Sequence, residues 1–200
     1  LRGSAVSVNT ASLNISSTGR QAGDLIIFGH FRNNDSTFVI PAAVVPSGFT
    51  SWSTIGNNEV NRTVRISLDY KISNGSETTI TGMAAHSGGI NMALVFGGGP
   101  FASAGATTSF SESPVPNATS RTISPGSNAP VINIAFFAAY DTAVIAGSSM
   151  APETGNVLHN TGRGGRMSYL IQNSDSVSSV ANWTGLTTNN LRRTAGRIGG

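Results

Sequence analysis

The 200-residue chain contains no cysteine, which excludes disulfides, thiolate metal sites and cysteine nucleophiles. Charge is scarce too: Asp, Glu, Lys and Arg make up 10% of the chain, against roughly 25% in an average soluble domain. Lys71 is the one lysine among 12 basic residues. The net charge of +3 reflects few charges of either sign rather than a dense basic stripe, so no nucleic-acid partner is expected. No apolar run approaches the about 20 residues that span a bilayer as a helix, and no signal-peptide pattern is visible. No membrane partner is expected. Arginine offers planar, bidentate hydrogen bonding and suits interfaces better than lysine does.

Ser, Thr, Asn and Gly fill the space that charge leaves, and apolar residues still reach 38%, enough for a core. Residues 63–72 alternate strictly. Val64, Ile66, Leu68, Tyr70 and Ile72 point one way, and Thr63, Arg65, Ser67, Asp69 and Lys71 the other. Period two over ten residues predicts an antiparallel strand with one face on a core and the other toward solvent or a partner. Further strands are expected over 5–8, 12–16, 24–31, 37–40, 77–81, 91–96, 107–111, 121–124, 130–140, 166–172 and 177–183. The near-continuous apolar runs at 24–31 and 130–140 predict central strands. Ser73-Asn74-Gly75-Ser76 predicts a hairpin, because Asn-Gly tolerates positive φ. Residues 151–165 and 187–200 read as irregular.

Two segments echo one another at a spacing of about one hundred residues. Leu25-Ile26-Ile27-Phe28 is matched in the run from Val131 to Phe137, and the stretch from Arg65 to Tyr70 by Arg166-Met167-Ser168-Tyr169-Leu170. Each half is too short to bury a sheet face alone, so two intertwined halves forming opposed sheets are expected. The competing explanation is that buried strands resemble one another by composition.

Chemistry is thin. His30, His86 and His159 show no metal-ligand spacing, and no calcium loop appears. Serines abound, yet there is no Gly-x-Ser-x-Gly elbow and no strand–turn–helix alternation to carry a triad. Asp69 and Glu77 are the carboxylates placed to approach across the expected hairpin, and read as a surface pair. Trp52 and Trp183 could stack on a sugar, although core or rim positions suit them better. The Arg/Gly-rich end, with Arg192, Arg193 and Arg197, together with Arg2 at the start, reads as arms that grip a neighbouring chain.

Three motifs in order carry a family resemblance: Gly23-Asp24-Leu25-Ile26-Ile27-Phe28, then Pro46-Ser47-Gly48-Phe49-Thr50, then Asp69-Tyr70-Lys71-Ile72 ahead of Gly75-Ser76-Glu77-Thr78. The pattern resembles that of β-sandwich virion proteins of tailed bacteriophages and related prophage proteins. It covers the first half of the chain, with Phe49 in place of the usual tryptophan and Ser73 in place of the usual alanine. No catalytic residues carry over from that family. The resemblance implies an all-β, antiparallel two-sheet sandwich, jelly-roll-like, over 1–190, with a C-terminal arm over 191–200. It further implies a non-enzymatic virion protein with no cofactor. The expected role is a capsid decoration (cement) protein, a homotrimer bound to the major capsid protein at the capsid surface. The alternative is a tail or fibre appendage binding host glycan through Trp52 or Trp183.

Overall fold

A computed structural model describes residues 1–34, 45–59, 62–81, 89–98, 105–112, 120–123, 131–139, 148–161, 163–173, 178–183 and 191–199. The strand expected at 37–40, His86 and the loop near 113–117 lie outside them. Within the described residues the fold is all-β, with four antiparallel sheets and a single 3-10 turn at Ser16–Thr18.

The chain divides into two compact units, Leu1–Ala102 and Ser103–Gly200, where one unit over 1–190 was expected. The first contains β1 (Gly3–Val8), β2 (Leu13–Asn14), β3 (Ala22–Asn34), β4 (Thr50–Glu59), β5 (Arg62–Asn74), β6 (Thr79–Ile80) and β7 (Ile90–Phe96). The second contains β8 (Gly105–Glu112), β9 (Ser120–Ile123), β10 (Val131–Ala139), β11 (Ser148–Ala151), β12 (Gly155–Thr161), β13 (Arg163–Gln172), β14 (Ser179–Trp183) and β15 (Leu191–Gly199).

The two units share one strand order. The large sheets run β1-β7-β3-β5-β4 and β8-β15-β10-β13-β12, and the small sheets run β2-β6 and β9-β14-β11. Each strand of the first unit therefore has a counterpart in the second, with β11 as an addition. Both sequence echoes fall on counterparts, β3 with β10 and β5 with β13. The halves are not intertwined, however: every sheet draws its strands from one unit.

Each unit has its own core joining its two sheets. In the first, Leu13, Ile15 and Ile80 pack on Ile26, Phe28, Ala93 and Val95. In the second, Ile123, Met150 and Ala181 pack on Ala135, Phe137, Ala139 and Ala195. The central strand β3 buries apolar side chains on both faces over Leu25–Phe28 before turning polar at His30 and Arg32, and β7 and β10 are buried along their whole length. Continuous burial, not alternation, is what their unbroken apolar runs require.

Three local expectations change. The Asn74-Gly75 turn (φ +88° at Gly75) does not fold β6 back on β5. It sends the chain to the small sheet, where Leu13 pairs with Ile80. Glu77 fixes this exit: it accepts hydrogen bonds from Ser73 Oγ at 2.7 Å and Asn74 N at 3.0 Å, and pairs with Lys71 Nζ at 2.9 Å. Residues 151–165, read as irregular, contain β12. The C-terminal arm is β15, a strand paired with β10 on one side and β8 on the other.

Candidate functional site

Register decides which side chains meet on the inner face of the first unit's large sheet. Phe28 pairs with Asp69 and Ala93, His30 with Ser67 and Asn91, and Arg32 with Arg65. Directly paired residues share a face. The face that carries Ile26 and Phe28 into the core therefore continues into His30 and Arg32 on β3, with Asp69, Ser67 and Arg65 on β5. The polar side of β5, expected to meet solvent, is buried over Ser67 and Asp69. Those two side chains can be sealed because they have polar partners inside.

Ser67, His30 and Asp69 form the most chemically suggestive cluster among the described residues. Ser67 Oγ lies 2.7 Å from His30 Nε2 and 3.4 Å from Asp69 Oδ2, and His30 Nδ1 is 4.0 Å from Asp69 Oδ2. Phe28 packs edge-on against the imidazole, with centroids 5.5 Å apart. The residue types are those of a nucleophilic triad, yet the geometry and the electrostatics differ from one. A triad needs the carboxylate to hold the imidazole Nδ1–H and support its charge; here that separation exceeds a hydrogen bond. His30 Nδ1 and Asp69 Oδ1 have no hydrogen-bond partner among the described residues. Burial, with the Arg32 charge as a smaller cause, lowers the His30 pKa to about 3. A base so weak does not accept a proton near neutral pH. Burial also raises Asp69 to about 7, against the opposing hydrogen bond from Ser67. Ser67 is 1% exposed, so its hydroxyl is closed to substrate.

The serine hydroxyl carries one proton and serves two neighbours. With Asp69 ionised, Ser67 donates to Oδ2 and receives from the His30 Nε2–H tautomer. With Asp69 protonated, the chain reverses, and Ser67 donates to His30 Nε2. Both states keep the imidazole neutral. The arrangement holds a proton inside the unit; it does not deliver one to a substrate.

A second network adjoins it. Arg32, 5% exposed, donates from Nη1 to Phe31 O at 2.8 Å and from Nη2 to Asn91 Oδ1 at 2.8 Å. Asn91 Nδ2 in turn donates to Ser7 Oγ and Thr10 O, both at 3.1 Å. The guanidinium lies over Gly89, where a Cβ would stand 2.6 Å from Nη1 and 3.0 Å from Cδ. Held at both ends, Arg32 cannot swing clear. Gly89→Ala is expected to cost about 1–3 kcal/mol through overpacking, read as a lower urea midpoint. A Gly89→Ala chain as stable as wild type would show that Arg32 is loosely held.

The residues expected to bind a partner are mostly used internally. Arg2 Nε pairs with Asp24 Oδ2 at 2.7 Å, and Arg2 Nη2 donates to Gln21 Oε1 at 3.0 Å. Arg193 is fully buried and Arg197 partly so; both engage in interactions. Arg192 and Trp183 are described by backbone position alone: Arg192 pairs with Ala138, and Trp183 with Ser148. Trp52 occupies a bulge in β4, between the pairs Ser51–Asp69 and Ser53–Leu68. The residue is 8% exposed and its ring meets Tyr70 edge-on with centroids 6.4 Å apart, so no open stacking face is offered. His159 lies on β12, its Nε2 3.0 Å from Thr161 O. Among the described residues no three His, Asp or Glu gather as a metal site, and no helix is long and apolar enough to cross a membrane.

The Ser67–His30–Asp69 cluster was missed in the sequence because its members sit on two strands 37 residues apart. The signal was present in part: β3 reads Ile26-x-Phe28-x-His30-x-Arg32 on one parity. Only the β3–β5 register shows that Ser67 and Asp69 face it. Searches against protein-family models, curated proteins and solved structures gave no match.

Proposed function

We propose that this chain is a non-enzymatic structural protein of a tailed-phage particle, a capsid decoration protein that braces adjacent major capsid subunits. We read each unit as a small jelly-roll-like sandwich. First and last large-sheet strands lie side by side in both (β1 with β7, β8 with β15), and a smaller sheet packs on the inner face. The virion assignment rests on the motifs around Gly23-Asp24, Pro46-Ser47-Gly48 and Tyr70-Lys71. The scaffold reading rests on the repeated strand order, the observation that carries the proposal: the same sheet frame is built twice along the chain, once in each unit. The Ser67–His30–Asp69 grouping is sealed inside the first unit.

The mode of contact differs from the one first expected. With β15 inside a sheet and Arg2 bound to Asp24, gripping by free terminal arms gives way to contact through the outer surface. Low charge and abundant Ser, Thr and Asn there suit a wet, hydrogen-bonded interface. The glycan reading is not favoured at Trp52, which is buried.

The test mixes the purified chain with phage heads assembled without it. The expected outcome is saturable binding at a fixed ratio to the major capsid protein, with heads that resist heat or osmotic shock better than bare ones. Binding to tails or to host polysaccharide, with none to heads, would overturn the assignment.

A further inference from the structure

The edges of the two large sheets are not equivalent. An unguarded edge strand offers a row of unpaired backbone groups to another chain, and proteins blunt such edges with bulges, charges or proline. Among the described residues four strands lie outermost: β1 and β4 in the first unit, β12 and β8 in the second. β4 is broken by the bulge at Trp52. β8 carries an extra residue opposite the Ala195–Gly196 step of β15. β1 is regular, but Ser4 is its only fully exposed residue. β12 differs from all three. Its pairing with β13 is unbroken from Gly155 to Thr161, and it contains no charged residue and no proline. It also exposes Asn156, Leu158 and Asn160 on one face, with Leu158 46% exposed, among the most exposed large apolar side chains described.

The order of residues along β12 suits one occupant in particular. Laid antiparallel on itself about Leu158, Gly155-Asn156-Val157-Leu158-His159-Asn160-Thr161 pairs Leu158 with Leu158, Asn156 with Asn160 and Val157 with His159. The apolar side chain left in water then meets its own copy at the centre. Amide faces amide on either side, and no like charges oppose one another. Two-fold symmetry makes such a contact self-complementary and closed.

We propose that β12 is a homotypic docking edge, through which two copies of this chain join their second-unit sheets into one continuous ten-stranded sheet. The contact is short, well below the roughly 1,200 Å² of a stable interface, so the pairing is weak and strengthens where copies are held close together. This goes beyond the head-binding proposal and stands or falls independently of it, since it needs no capsid.

Two variants of the full chain test it. Leu158→Lys places two ammonium groups face to face at the centre, and is expected to weaken concentration-dependent self-association by about tenfold or more. An unchanged melting profile would confirm that this half-exposed position carries no core. Leu158→Cys puts a single thiol into a chain with no other cysteine. Opposed residues of an antiparallel pair stand about 4.5–5.5 Å apart at Cα, within disulfide reach. Mild oxidation should therefore give a covalent dimer faster than the control Ser4→Cys on β1. Equal cross-linking rates in the two variants would overturn the proposal, as would a wild-type chain whose self-association is absent or unaffected by Leu158→Lys.

Discussion

Removal of residues 191–200 is expected to unfold the Ser103–Gly200 unit while Leu1–Ala102 stays folded. β15 pairs with β10 along nine consecutive residues and with β8 on its other edge. It buries Ala195 and Ile198 completely. Its loss strips both neighbours of their ladder partners and leaves the buried strand β10 open on one side. A domain is held by only about 5–15 kcal/mol in total, and losing a central strand is on the order of that whole margin. Circular dichroism and limited proteolysis of the truncated chain should show one protected fragment near 100 residues. If the tail were a detachable arm, the truncated chain would melt like the full one.

The second large effect concerns pH, and its wild-type form is a near absence of response. Asp69 is raised in the folded state, to about 7. Its contribution is fully present below the unfolded value near 3.8 and is lost as pH rises toward 7. His30 is lowered to about 3. Its contribution is fully present above 6.5 and is lost as pH falls toward 3. Between about pH 4 and 6.5 the folded unit holds its proton on Asp69 and the unfolded chain holds one on His30. The proton counts match, so this cluster adds no slope. Arg32, which burial lowers only to about 10, stays cationic throughout this window.

Single variants should uncover the two opposed slopes. Relative to wild type, Asp69→Asn leaves the His30 term alone, and stability should rise with pH from 4 to 6.5 by up to about 1.4 kcal/mol per pH unit. His30→Asn leaves the Asp69 term, and stability should fall across the same window with the opposite sign. Urea titrations read by Trp52 fluorescence in a Trp183→Phe background follow the first unit by itself. Parallel pH profiles for wild type and both variants would show that the cluster is hydrated and its groups unshifted.

How much could be read from the residues follows from what each feature depends on. β3, β5, β7 and β10 were legible because apolar runs and period-two alternation are local properties. The central placement of β3 and β10 followed from their near-continuous apolar runs, which call for burial on both faces. The echo of Leu25–Phe28 in β10 was legible for the same reason, but whether the halves interleave or stand in tandem depends on pairing partners at long range. β15 was illegible as a strand because Arg193, Gly196, Arg197 and Gly199 have the composition of a disordered tail. It becomes a strand only because β10 and β8 supply ladders on both sides and Arg193 is enclosed. β12 was hidden by its asparagines and glycine. The Ser67–His30–Asp69 cluster required the β3–β5 register, which no local pattern encodes. Asp69 in particular looked like a solvent-facing residue until a second strand was laid beside it.

Amide hydrogen exchange on the intact chain, resolved by peptide, bears most directly on the account of a two-unit scaffold with its ends built in. The expected result is slow exchange over Leu191–Gly199 matching that of Val131–Ala139, and equally slow exchange over β3 in the first unit. Exchange over 191–199 at the rate of an unstructured peptide, with β10 still protected, would contradict it.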